Sequence, residues 1–388
     1  MGFLARFRGR GAPARVQATL AAVEDLLRPD RGSPRDEPRV DDPRYLEAAR
    51  MLRAALQELS EQQRQASELG ACLWNELGNT LSRQWPAFAD EALRAHENAV
   101  AAAPGEASYL YDLGLCHKYA GRFAQGVEAN RLSLRLRGGS EGALWNLGIC
   151  ATGAGDQEAA AEAWQGLGIE IERVDGEVRC VGQVIAQVRL SERGSIVAPG
   201  AGDPESFEYV WIGRLGPAHG RILSPTVGHF FADVGDVILH DGAAVGYRDD
   251  GERKFPRFPV MALLRRGTLR TFRFAAAQPG RGGVAGLEED LGPETVYVHT
   301  EQVEWICREC ARDGRVPHRH ERQKPDARIV YGKLISEARE LALFRDALDR
   351  ALAKKEDLAL YCPSLHRALG DEARAAADEA AWKGLEVN

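Results

Sequence analysis

Several things are missing from this chain, and each absence narrows what it can be. No run of about 18 apolar residues occurs anywhere in its 388 residues, which removes a transmembrane helix. The start, Met1-Gly2-Phe3-Leu4-Ala5-Arg6, is basic but has no continuous apolar stretch behind it. No secretory signal is therefore expected, and the chain reads as cytoplasmic. Cysteine is scarce and odd in number, seven residues spread from Cys72 to Cys362, so reduced thiols are expected rather than a disulfide framework. There is no P-loop, no dinucleotide-binding glycine fingerprint after a strand, no G-x-S-x-G elbow and no H-E-x-x-H. Lysine is far outnumbered by arginine, which with abundant Ala and Gly fits a GC-rich, bacterial genome. A formal net charge of -7 makes nucleic acid an unlikely general partner, because phosphate binding needs clustered cations.

What is present is enough for a globular protein of two or three units: 44% hydrophobic residues over a length too great for one ordinary core. Residues 1–42 read as an N-terminal helix near Val16–Leu27 followed by a Pro/Asp/Arg linker. From Tyr45 to about Leu69, apolar residues at helical spacing predict one amphipathic helix.

The strongest pattern is an internal repeat. Leu-Gly recurs at Leu77-Gly78, Leu113-Gly114 and Leu147-Gly148, at spacings of 36 and 34 residues. Leu73-Trp74-Asn75-Glu76 and Leu144-Trp145-Asn146 stand in the same register, with Tyr109-Leu110-Tyr111-Asp112 between them. Gly121-Arg122-Phe123 and Gly155-Asp156 fall at turns, and Ala92, Gly126 and Ala160 where a second helix needs a small residue. On these residues the chain resembles the tetratricopeptide repeat superfamily over about 69–168. Two extra residues near Trp85–Phe88, a Gly138-Gly139 pair in place of a proline and a missing capping helix after Leu167 depart from the family pattern.

The resemblance implies a right-handed superhelix whose concave groove binds another protein or peptide. In family register the groove-facing, partner-binding positions would be Asn75, Asn79, Arg83, Tyr111, Lys118, Tyr119 and Trp145. The carboxylate clamp for chaperone C-termini wants cations where Asn75 and Asn146 stand, so a cochaperone role is not expected. The same residues could instead face the protein's own β-rich part.

After Gly168 the periodicity becomes alternating. Val178–Leu190, Phe207–Arg214, Val237–His240, Val260–Leu264, Thr268–Phe274 and Thr295–His299 predict strands. Asp241-Gly242 predicts a hairpin turn. Leu334–Lys354 and Ser364–Lys383 predict helices. The fold class is thus multidomain α+β: N-terminal α-helical TPR-like solenoid (43–170), central mostly antiparallel β domain (171–306), and C-terminal helical segment (307–388).

Cys307-Arg308-Glu309-Cys310 could present two thiolates to a structural zinc, completed by Cys362 and His366 at C-x3-H spacing, or by His318 or His320. Two buried thiols or a redox pair are the alternatives. The stretch His229–Asp236 with His240 and Asp241 could form a His/Asp cluster, although its members straddle a hairpin and alternate between faces. The expectation is a protein–protein adaptor or scaffold with no recognisable catalytic residues. The alternative is a metal-dependent enzyme or nucleic-acid-processing factor sited in the β domain and the Cys/His region. Oligomeric state is not legible.

Overall fold

The computed structural model describes residues 13–28, 42–182, 184–191, 207–228, 230–278, 283–284, 287, 291, 295–299, 328–336, 340–355 and 357–386. Among these, no helix is long and apolar enough to cross a membrane.

The chain opens with α1 (Ala14–Leu26) and α2 (Pro43–Glu58), packed on each other through Val16, Leu20, Val23, Leu52 and Leu56. The single helix expected from Tyr45 to Leu69 is broken. Ser60 forms a capping box with Gln63 and starts a separate short helix, α3 (Glu61–Ala66). The reciprocal cap satisfies backbone donors that a continuous helix would have paired internally, so a new start competes with the apolar period.

Three helix pairs follow: α4 (Glu68–Ser82) with α5 (Ala89–Ala102), α6 (Ala107–Tyr119) with α7 (Phe123–Arg137), and α8 (Glu141–Ala154) with α9 (Gln157–Gly166). Their boundaries are set by local chemistry. Ser67 and Asp156 accept hydrogen bonds from the Gly70 and Ala159 N–H groups. Gly138 and Gly155 end α7 and α8 in the left-handed region, at φ 74° and 76°.

The repeated glycine has a steric cause. A Cβ at Gly78 would lie 2.6 Å from the His96 ring, one at Gly114 2.5 Å from Asn130, and one at Gly148 2.5 Å from the Trp164 ring. Each second helix thus drives one side chain, recurring at the repeat interval, into a slot on the first helix that only glycine leaves open.

Where a further helix would cap the solenoid, a hairpin does so instead. Strands β1 (Ile171–Val174) and β2 (Glu177–Cys180) lay Ile171 and Val178 onto the cluster around Trp164, Leu147 and Ala160, while Gln157 Oε1 accepts from the Val178 N–H at 2.7 Å.

The next strands are β3 (Val184–Ser191), β4 (Phe207–Gly216), β5 (His219–Ile222), β6 (Val237–His240), β7 (Gly246–Asp249) and β8 (Lys254–Arg265). They pair in the order β3-β4-β5-β6-β8, and β3 returns to pair with β8 in parallel, closing a five-stranded barrel with β7 as a flap on β8. Val188, Leu190, Val210, Ile212, Ile222, Ile238 and Phe258 fill its interior.

Asp241-Gly242 is not the hairpin turn expected from its composition, since β6 and β7 both pair with β8 and not with each other. The Asp241 carboxylate instead accepts from the Gly242 N–H at 2.7 Å. This is the alternative local turn that aspartate side chains favour.

A second sheet, β10-β11-β9-β12, joins β9 (Arg270–Ala277) and β10 (Thr295–His299) to β11 (Ile329–Ser336) and β12 (Ala359–Tyr361). The C-terminal stretch therefore adds strands to the helices expected there, α10 (Leu341–Ala353), α11 (Pro363–Ala368) and α12 (Glu372–Glu386). Leu334 belongs to β11, not to a helix. Phe272, Phe274, Val330, Leu334, Phe344, Leu348 and Leu365 form the core between this sheet and its helices. Lys333 of β11 reaches back to Thr226 and Asp233, binding this sheet to the barrel.

Candidate partner-binding groove

The first helices of the three pairs bring the expected groove residues into two groups. Asn75 and Asn79 lie on α4, Arg83 caps its C-terminal end, and Tyr111 lies on α6. Asn75 and Asn79 donate to Asp112 Oδ2 at 2.8 and 3.2 Å, and Asn75 Oδ1 lies 3.2 Å from His96 Nδ1. Arg83 is exposed; Tyr111 is half-buried with its hydroxyl beside Asn146.

The second group, Lys118, Tyr119 and Trp145, meets the chain's own barrel. Lys118 Nζ lies 3.1 and 3.3 Å from the two oxygens of Asp241, and the Tyr119 hydroxyl donates to Oδ2 at 3.0 Å. The Lys118 and Asp241 side chains are 4% and 3% exposed. A Cβ at Gly242 would lie 2.9 Å from the Trp145 ring, so the Asp241-Gly242 turn is seated directly on that indole. Leu239, Met261 and Ala218 of the barrel share a core with Leu147, Ile149 and Cys150 of α8. The barrel therefore occupies the C-terminal part of the concave face, and among the described residues no strand of the barrel reaches the stretch lined by α4 and the start of α6.

Beside the groove positions stand three residues of the repeat register that were not counted among them. Glu76, Asp112 and Asn146 occupy the position just before each Leu-Gly and recur at the same 36 and 34 interval. Burial pushes the Glu76 carboxyl up to about 7, with the Asp112 charge adding to it. Burial also raises Asp112, against the pull of the Asn75 and Asn79 amides. The signal was in the period itself, one position away from the glycine.

The His/Asp candidates do not converge among the described residues. Asp233 and Asp236 accept backbone N–H groups of Thr226, Val234, Asp233 and Gly267 and pair with Lys333 and Arg266, so they fix a loop. His240 stacks on Phe258 inside the barrel at 4.7 Å, whereas Asp241 points to the repeats. His229 lies outside the described residues, as do Cys307, Cys310, His318 and His320. Cys362 is buried, and burial pushes its thiol up to about 12. Its N–H donates to Asp378 Oδ2 at 2.7 Å, the same oxygen that lies 3.3 Å from His366 Nε2. Among the described residues, no group of three or more His, Cys, Asp or Glu side chains is placed to hold a metal.

Residues 68–166 thus form a tetratricopeptide-like segment: three helix pairs in the register set by the Leu-Gly period. No protein-family model and no curated protein matches the sequence. Among solved structures, a tetratricopeptide repeat protein from Parabacteroides merdae aligns at 15% identity with a TM-score of 0.32, covering 40% of this chain and 53% of that one. This chain therefore spans about half the length of that protein. A MamA structure aligns at 18% identity with a TM-score of 0.26, covering 43% and 92%. Another, from AMB-1, aligns at 14% and 0.30, covering 40% and 75%.

Proposed function

We propose that this chain is a protein-interaction scaffold that takes a partner polypeptide along the open stretch of its concave face, between α4 and α6. The observation supporting this is the division of the groove: Lys118, Tyr119 and Trp145 are engaged by the Asp241-Gly242 turn, while Arg83 is exposed and Asn79 and Tyr111 are part-exposed and meet no strand of the barrel among the described residues. The buried barrel contact makes the repeats and barrel one body, so the scaffold presents the groove in a fixed orientation. Tyr111→Ala with Arg83→Ala in the full chain is expected to abolish retention of the native partner in affinity purification. Arg248→Ala, on the distant flap, is expected to leave it intact. Equal retention by both variants would place the interface elsewhere.

A structural zinc held by Cys307, Cys310, Cys362 and His366 is proposed alongside it. Its support is His366 Nδ1, which is buried with no hydrogen-bond partner, one helical turn from the buried Cys362. Such a site would tie the C-terminal helices to the preceding segment. Elemental analysis is expected to find one zinc per chain in the purified protein and none after Cys362→Ser. Zinc-free protein with unchanged melting would refute it.

A further inference from the structure

The outside of the barrel carries an exposed apolar strip held between two arginines. Strand pairing lines up its outward-facing residues: Arg221 stands opposite Gly213, Gly213 opposite Ile185, and Phe255 opposite Arg248. In the next row Leu223 donates its N–H to the Trp211 carbonyl, Trp211 stands opposite Gln187, and Gln187 opposite Arg257. Ile185 and Leu223 are each 50% exposed. Between them Gly213 leaves a notch, with the Leu223 side chain 3.6 Å from where a Cβ would be. The Trp211 and Phe255 rings meet edge to face at 5.0 Å, and the Arg248 guanidinium lies over the Trp211 ring at 5.6 Å.

Among the described residues no carboxylate pairs with Arg221 or Arg248. Asp249, next to Arg248, pairs with Lys254 at 3.6 Å. Glu208 points to the other side of β4 and accepts from the Val227 and Gly228 N–H groups. Arg257, by contrast, is bound to Gln187 at 3.0 Å and lies over Tyr209. Apolar side chains gathered in the open on one sheet face are stabilised when a partner covers them, and Trp and Arg contribute most to such contacts. Two guanidiniums without carboxylates, in a chain of net charge -7, set the sign of that partner. Single-stranded nucleic acid fits less well, because Ile185 and Leu223 offer no ring for a base to stack on and two cations neutralise little of a phosphate backbone.

We propose that this outer face of the barrel docks an acidic peptide segment of a partner protein, with apolar side chains over Ile185, Leu223 and Trp211 and carboxylates paired with Arg221 and Arg248. In the order β5-β4-β3-β8-β7 the two arginines stand four strand spacings apart, roughly 19 Å at the backbone. Since Arg248 leans in over Trp211, the acids of an extended segment are expected within about six residues of each other. The face lies on different elements from the groove between α4 and α6, so either surface can fail alone.

The test is selection of phage-displayed random linear peptides on the full chain, repeated on Trp211→Ala, on Arg221→Ala and on the groove variant Arg83→Ala with Tyr111→Ala. Melting curves first establish that each variant is folded; Arg221→Ala, outside the core, serves should Trp211→Ala fail to fold. The expected result is a class of peptides enriched in Asp or Glu beside apolar residues and kept by the groove variant. Trp211→Ala is expected to weaken them on the order of tenfold, and Arg221→Ala about two- to fivefold, with the second loss shrinking at high salt. Acidic peptides that bind Trp211→Ala and Arg221→Ala at full strength, or that are lost only on the groove variant, would overturn the proposal. So would selected peptides without acidic residues, or no enrichment. A fluorescent oligothymidine that binds more tightly than any selected peptide, and is lost on Trp211→Ala, would overturn it in favour of nucleic acid.

Discussion

Asp241→Ala is expected to destabilise the protein by on the order of 3–5 kcal/mol, the loss typical when one member of a buried ion pair is removed and its partner is left uncompensated. The Lys118 ammonium would remain almost wholly enclosed, with no other carboxylate paired to it among the described residues. The Tyr119 phenol would lose its acceptor as well. Burial, the largest cause holding that phenol above its ordinary pKa, persists in the variant, so the phenol stays neutral and does not compensate. Lys118→Met alone should cost a similar amount, because it strands the carboxylate instead. The double variant Lys118→Met with Asp241→Leu is expected to recover most of either loss, since apolar groups of similar size need no partner in the shared core of Leu239 and Leu147. Urea denaturation checks the energies, and hydrogen exchange at α6, α8 and β6 checks the location. A single-variant loss under about 1 kcal/mol, the range of a solvated surface pair, would mean that water enters the junction and the barrel is only loosely held. The same logic applies at the barrel's other boundary, where Lys333 pairs with Asp233, but there the carboxylate is more exposed and also bonded to backbone, so a smaller effect is expected.

The helical repeat was legible because its cause is local and periodic: the glycine slot must recur wherever His96, Asn130 and Trp164 recur. The same period would have exposed Glu76, Asp112 and Asn146, had polar positions been aligned as closely as apolar ones. Other features carry signals that two structures share. Asp-Gly suits a hairpin turn and a side-chain-capped turn equally, and only the pairing of β6 and β7 with β8 decides between them. Leu334 and Ile335 fit a helical spacing when read forward into α10, but Val330 and Leu334 also share one face of a strand, and the register with β9 selects the strand. The capping box at Ser60 was readable, yet a continuous apolar stripe outweighs it until tertiary packing is known. The contact that decides which part of the groove is open has no signal in a single sequence, since Lys118 and Asp241 lie 123 residues apart.

Acidification from pH 6.5 to 4 is expected to remove several kcal/mol of stability. Burial holds His96, His117 and His219 at about 4 and His240 at about 3, against 6.5 in an exposed chain. In that window the unfolded chain binds protons that the native state refuses, so stability is complete above pH 6.5 and falls as pH drops toward 4. Each unit of separation is worth about 1.4 kcal/mol, which makes each ring responsible for up to about 3 kcal/mol. Glu76 works the other way: raised to about 7, it gains stability as pH falls from 7 to 4.5 and offsets roughly one histidine. The net of four against one still favours acid lability. Carboxylates held low by arginine, Glu177 by Arg265 and Asp349 by Arg374, add losses of the same sign only at lower pH, so the two causes separate along the pH axis. Melting temperatures measured at half-unit intervals should therefore begin to fall near pH 6, before the arginine-held carboxylates Glu177 and Asp349 titrate. Because His96 sits in the first repeat and His219 and His240 in the barrel, hydrogen exchange at pH 5 should show both regions loosening together. A flat melting curve down to pH 4.5 would mean that these rings reach water in the native state, and with it would go the enclosed slot that gives the Leu-Gly repeat its spacing.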